Sequence, residues 1–140
     1  MTIACFSGAK LALLRGPDLV TILRDDLPHI PWPGHWDLPG GGREDAETPL
    51  DCALRETEEE LGLKIPRRAI GWSRLYPGPE PAGCWFFAAE LPGLDPARIR
   101  MGDEGQEWRL MPVAAFLAQP LAVPHLRDRL RDYLAERPRS

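Results

Sequence analysis

The stretch that most restricts how this chain can fold is Thr48–Gly62, TPLDCALRETEEELG. It reads as one helix, over about 49–61, with both ends marked. Thr48 is a capping residue and Pro49 suits the first helical position. Asp51 stands three residues after the cap, as the acidic member of a capping box does. Gly62 suits the left-handed residue that ends a helix. At about 100° per residue, Leu50, Leu54, Thr57 and Leu61 fall on one narrow stripe, with Ala53 beside it. Such a stripe has to be buried against another layer. Glu56, Glu59 and Glu60 fall within a wedge of roughly 100° turned away from it.

That wedge is the first clue to function. Eight of the 21 acidic residues lie between positions 44 and 60, with Arg55 as the basic residue among them. Carboxylates one turn apart repel by a few tenths of a kcal/mol per pair in solvent, and more when desolvated. A face that serves only solubility mixes signs or pairs Glu with Lys one turn on, and this helix contains no Lys. Gly40, Gly41 and Gly42 precede it and allow bare backbone to approach a ligand. Hard divalent cations take oxygen ligands, and Mg²⁺ is commonly held by one or two carboxylates together with substrate phosphates and waters. A cation of that kind offsets the repulsion.

Other metal patterns do not match. An EF-hand sets its acids in a loop with a central Gly. A di-iron bundle needs Glu-x-x-His, whereas the histidines are at 29, 35 and 125. No GxxxxGK[ST] phosphate loop occurs.

The rest of the chain supplies sheet and further helices. Residues 10–15 and 19–24 are β-type runs joined by Gly16-Pro17-Asp18, which predicts a hairpin. Residues 28–36 and 37–42 read as an ordered loop that ends in glycines. Strands are expected at 70–76 and 84–91 around a Pro/Gly loop at 77–83. A long loop follows at 92–106, then a strand at 107–111 and helices at 112–118 and 124–135. This order predicts an α+β chain, a mixed sheet between helices in α/β/α layers, within a single domain over 1–140.

Composition narrows the classes further. The formal net charge of −4 disfavours nucleic acid as a partner. Five arginines near the C-terminus, from Arg127 to Arg139, alternate with Asp128 and Asp132 and read as a solvated helix face. Cys5, Cys52 and Cys84 are odd in number and widely spaced, which speaks against a disulfide framework or a zinc ribbon. Neither a signal peptide nor a membrane-spanning run is evident, so a cytoplasmic protein with no membrane partner is expected.

The pattern Gly41, five residues, Glu47, seven residues, Arg55-Glu56, then Glu59-Glu60 and Gly62-Leu63 resembles the Nudix box, the signature of Nudix hydrolases. Every charged and glycine position of the box matches. Thr57 stands where the family usually has an aliphatic residue, and its hydroxyl is expected to bond the Ala53 carbonyl one turn back. The resemblance implies the Nudix fold in a small MutT-like member. It also implies hydrolysis of a nucleoside diphosphate linked to another moiety X, with one to three Mg²⁺ or Mn²⁺ ions. By position, Glu56, Glu59 and Glu60 would be metal ligands, with the Gly40 carbonyl a further one. Glu47 would be a weaker ligand or an acid behind the ligands, and Arg55 would hold the carboxylates in place. Glu104, with Glu107 second, looks like the late-loop carboxylate of MutT-type members. The general base would be Glu59, Glu60 or Glu104.

The expected partner is a small nucleotide or nucleotide derivative, and a homodimer is left open. Trp32 and Trp36, in the loop before the box, are the candidates for stacking a base, whereas Trp85 and Phe86 read as core. MutT-type enzymes that clear oxidised guanine nucleotides read the purine partly through an asparagine, and this sequence contains none. Two other functions share the fold. One is a ligand-sensing module without catalysis, which often lacks box carboxylates that this chain retains. The other is an isomerase of isopentenyl-diphosphate type, which calls for a catalytic Cys, for which Cys84 is the candidate.

Overall fold

A computed structural model describes residues 5–78 and 82–138. The central strand, β1 (Phe6–Arg15), turns through Gly16 and Pro17 into β2 (Asp18–Leu23). Two short strands follow, β3 (Trp36–Asp37) and β4 (Gly40–Gly42), and then α1 (Pro49–Leu61). A second hairpin is made of β5 (Ile70–Pro77) and β6 (Gly83–Glu90). The chain ends in β7 (Glu107–Pro112), α2 (Val113–Ala118) and α3 (Pro124–Glu136).

The seven strands form one mixed sheet along β3-β2-β1-β6-β5, with β7 on β2 and β4 on β1. Strands β1 and β6 run parallel, from Phe6 opposite Gly83 to Leu14 opposite Glu90. The other edge of β1 is divided. Leu14 and Arg15 pair with β2, whereas Gly8, Ala9 and Lys10 pair with β4. This division carries the glycine run onto the middle of the sheet, beside the N-terminal half of β1.

Strand β1 is covered on both faces, which is why Leu11–Leu14 is an unbroken apolar run rather than an alternating one. Leu11 and Leu13 join a core with Cys52, Ala53 and Leu61 of α1. Ala12 and Leu14 join a second core with Phe116 of α2 and with Leu126, Leu130 and Tyr133 of α3. The layers are therefore α1, sheet, then α2 with α3, the expected α/β/α arrangement.

Helix α1 has the predicted ends. Its cap is the Thr48 hydroxyl, which accepts the Asp51 N–H at 3.2 Å, and Gly62 closes it at φ 69°. The Asp51 carboxylate is held below its ordinary range first by the Thr48 side chain and then by Arg67, with which it pairs. Thr57 is buried and donates to the Ala53 carbonyl at 2.8 Å, as expected.

Three expectations are corrected. Strand β1 begins at Phe6, not at 10, because pairing with β4 and β6 holds Ser7, Gly8 and Ala9 extended although they carry no apolar run. The segments read as loop at 28–36 and 37–42 contain β3 and β4. The predicted loop at 92–106 includes a 3₁₀ turn at Pro96–Arg98. Positions 79–81 of the predicted loop at 77–83 lie outside the described residues.

Candidate active site

The exposed wedge of α1 faces a cavity of about 620 Å³. Glu56, Glu59 and Glu60 form one wall and the backbone of Gly40–Gly42 another. Lys10, Arg24, Glu44, Gly102, Asp103 and Glu104 complete the lining. Five separate parts of the chain meet here, brought together by the pairing of β1 with β2 and β4 and by the loop before β7.

Each carboxylate on the wall has a different environment. Glu60 is deepest, and its Oε1 accepts the Gly40 N–H at 2.7 Å. Burial raises its carboxyl to about 7, against the opposing pull of Lys10. Burial also raises Glu56, although Arg55 pulls it down. The Glu56 carboxylate lies directly on the backbone of Gly41. A Cβ at Gly41 would come within 2.7 Å of it and push the carboxylate from its place beside Arg55. Glu59 is half exposed and pairs with Arg55 at 2.8 Å.

Arg55 organises this wall from behind. Its Nε donates to Glu47 at 2.6 Å and its Nη2 to the other Glu47 oxygen at 3.0 Å. Its Nη1 reaches Glu56 at 3.0 Å and Glu59, while Nη2 also donates to the Gly42 carbonyl at 2.9 Å. The guanidinium is thereby held above its ordinary pKa, first by Glu47, and Glu47 is held below the usual carboxylate range by the same bond. Glu47, expected as a weaker ligand or an acid behind the ligands, stands behind the wall with Arg55. Both its oxygens are engaged, by Arg55 and by the Glu44 N–H, and it does not line the cavity.

Gly40 lines the cavity, and its carbonyl accepts from the Lys10 ammonium at 3.3 Å. Lys10 also donates to Leu38 O at 3.2 Å and to Asp37 Oδ2 at 3.0 Å. Asp37 is 5% exposed, and the same oxygen accepts from Arg24 at 2.9 Å. Lys10, Arg24 and Asp37 escaped the sequence reading. The two cations looked like the polar ends of apolar strands, and no local pattern announces that they share a buried acid.

The late loop presses onto α1. Gly102 N–H bonds Glu60 O at 3.0 Å, and Gly105 N–H reaches Asp25 Oδ2 at 3.2 Å. Glu104 is thereby brought to the cavity, together with Asp103, which the sequence reading passed over. Glu107 is in β7, pairs with Arg109 and lines neither this cavity nor its neighbour. That neighbour, about 270 Å³, shares Arg24, Glu60 and Glu104 and is otherwise lined by Ile22, Asp25, Leu27, Ile30, Asp37 and Gly105.

The tryptophans divide. Trp36 is 7% exposed, packs in the second core and has the Arg109 guanidinium over its ring at 4.9 Å. Its expected stacking role is corrected, since no face is left for a base. Trp32 is 42% exposed, stands edge-on to His35 and lines neither cavity. Trp85 is partly buried against the first core and Phe86 fully buried in the second, as read. Cys84 lies beside Ser7 at 3.5 Å and is not part of the cavity lining.

A family model described as NUDIX domain matches residues 8–133, a span that includes this whole cavity. The chain belongs to the Nudix family. It is 31% identical over 133 residues to the NAD-capped RNA hydrolase NudC of Chromobacterium violaceum, covering 90% of this chain and 48% of that protein. It is 51% identical over 40 residues to Nudix hydrolase 3 of Arabidopsis thaliana, 28% of this chain and 5% of that protein. The chain thus spans less than half the length of these two curated relatives. Among solved structures, a NUDIX hydrolase from Nitrosomonas europaea superposes with a TM-score of 0.74 at 25% identity, covering 98% of this chain and 74% of that one.

Within this Nudix fold the donor set fits a hard divalent cation. All side chains on the wall offer oxygen, and Glu60 is desolvated among like charges, a strain that a cation removes. Among the described residues no three acidic, His or Cys side chains converge on one point; Arg55 bonds Glu56 and the Gly40 N–H bonds Glu60. Among the described residues no helix is long and apolar enough to cross a membrane.

Proposed function

We propose that this Nudix domain hydrolyses a diphosphate bond in a nucleoside diphosphate linked to X, with Mg²⁺ or Mn²⁺. The observation that carries the reading is one cavity lined both by the carboxylates of α1 and by two cationic side chains, Lys10 and Arg24. A binding site for a neutral ligand has no use for charges of both signs, whereas a substrate of phosphates held with cations needs both. Glu56, Glu59 and Glu60 would hold the divalent cations, with Glu104 closing the site from the late loop. A bound divalent cation supplies neutralisation of phosphate charge and acidification of water. Arg55 keeps Glu56 and Glu59 oriented by charge-assisted bonds. Arg24 lines both cavities, so its guanidinium suits a phosphate at their junction. The neighbouring cavity, with Ile22, Leu27 and Ile30 against Asp25, suits the apolar faces and polar edge of a nucleoside. One carboxylate, Glu59, Glu60 or Glu104, accepts the proton of the attacking water.

Retention of the whole carboxylate wall favours an enzyme over a ligand-sensing module. The isomerase reading loses its candidate, because Cys84 is absent from the cavity lining. The test is a panel of nucleoside triphosphates, dinucleoside polyphosphates, ADP-ribose, NADH and CoA, each with Mg²⁺, with Mn²⁺ and with chelator. A monophosphate product that appears only with metal supports the reading. No turnover on any member, or full turnover under exhaustive chelation, overturns it.

A further inference from the structure

We propose that Lys10 is a resident cation at the Gly40 end of the carboxylate wall, standing where a divalent ion would otherwise use the Gly40 carbonyl. The inference rests on the reading that the wall holds divalent cations. Lys10 lies in β1 directly opposite Gly40 in the β1–β4 register. Its ammonium has three donors and three acceptors: Asp37 Oδ2 at 3.0 Å, Leu38 O at 3.2 Å and Gly40 O at 3.3 Å. The anchor is firm. Asp37 is buried, accepts the Leu38 N–H on its other oxygen at 2.7 Å and is shared with Arg24.

Gly40 has φ +135°, and a Cβ there would meet the Ala9 carbonyl oxygen at 2.2 Å, the Lys10 Cα at 2.7 Å and the Lys10 Cδ at 2.9 Å. The glycine therefore lets β4 lie close against the backbone of β1, and it also leaves the lysine stem its path. The same residue donates its N–H to Glu60 at 2.7 Å. One residue thus carries the ammonium on its carbonyl and the deepest carboxylate on its amide. A positive charge so close to that carbonyl repels a divalent ion in a partly desolvated site, while it offsets the charge of Glu60 as such an ion would. The protein then needs fewer divalent ions to balance its wall.

The test is Mn²⁺ binding to the nucleotide-free protein, counted by electron paramagnetic resonance, for wild type, Lys10→Met, Lys10→Gln and Lys10→Arg. Thermal melting checks that each is folded, and Lys10→Gln, which keeps a donor for the Gly40 carbonyl, serves if Lys10→Met is not. Loss of the charge is expected to add one Mn²⁺ or to tighten an existing one roughly tenfold or more. Lys10→Arg, which keeps the charge, is expected to bind as wild type does. Equal number and affinity in wild type and the neutral variants overturns the inference alone, as does a Lys10→Arg change equal to that of Lys10→Gln. Absence of binding in every protein overturns the proposed function and this inference together.

Discussion

Replacing Arg55 by Met tests how the wall is held without metal. The guanidinium contributes four ion pairs of unequal worth, the longest, to the exposed Glu44 at 3.5 Å, adding almost nothing. The pair with Glu47 is bidentate and mostly shielded, with side chains 23% and 17% exposed. Charged hydrogen bonds of that kind contribute about 1.5–3 kcal/mol. Glu56 is similarly shielded, but it shares Nη1 with Glu59 and already bears a desolvation cost, so about 1 kcal/mol is assigned to it. The pair with Glu59 is half exposed and spaced one turn apart, which limits it to about 0.3–0.5 kcal/mol. Because methionine keeps most of the apolar stem, Arg55→Met should destabilise the metal-free protein by about 3–4.5 kcal/mol. For 140 residues, each kcal/mol moves Tm by about 3–4 °C. A fall of roughly 9–18 °C is therefore expected in a melt monitored by circular dichroism in chelator. Adding Mg²⁺ should recover part of it, since a cation takes over the neutralisation of Glu56 and Glu59. Arg55→Lys should recover less than half, because an ammonium cannot span Glu47 bidentately. A Tm within about 2 °C of wild type in chelator would refute the view that Arg55 holds the wall together.

Glu59→Gln and Glu60→Gln should each lower kcat by about two orders of magnitude or more. Glu58→Gln should be nearly silent, because Glu58 lines a separate cavity with Lys64 and Arg100; equal damage at position 58 in a nucleotide hydrolysis assay would dismiss the assignment of faces. Trp36→Ala should cost about 3–5 kcal/mol of stability as a core truncation, whereas Trp32→Ala should leave urea denaturation within about 1 kcal/mol of wild type. His125 is pushed below its ordinary pKa, first by burial and then by Arg129, so folding favours its neutral form. Its contribution is complete above about pH 6.5 and is lost as pH falls from there through the lower folded value. His125→Gln should flatten that part of the stability–pH curve, and an unchanged slope would count against the assignment.

The helix, its caps, its buried stripe and its acidic wedge were all readable from the chain alone. Each depends on residues within one or two turns of one another, where 100° per residue converts spacing into direction. The same locality made Thr57's bond to Ala53 and the left-handed Gly62 readable. The family's residue pattern extended that reading to Arg55, which does organise the wall. What required tertiary structure lies beyond that range. Lys10 lies in β1, Arg24 just after β2 and Asp37 in β3, and nothing in their neighbours says that one buried carboxylate joins them. Pairing of β4 with β1 decided it, by bringing Gly40 under the Lys10 stem. Trp36 looked like a loop residue until β3 paired with β2 and turned its ring into the second core. Glu104 was preferred to Glu107 only through the family's pattern, and the bonds of Gly102 to α1 and Gly105 to Asp25 bring the first to the cavity, whereas Glu107 is exposed in β7. Local sequence sets which way a side chain points from its own element. Which elements meet depends on pairings between distant residues, and those are chosen by the burial of the whole sheet.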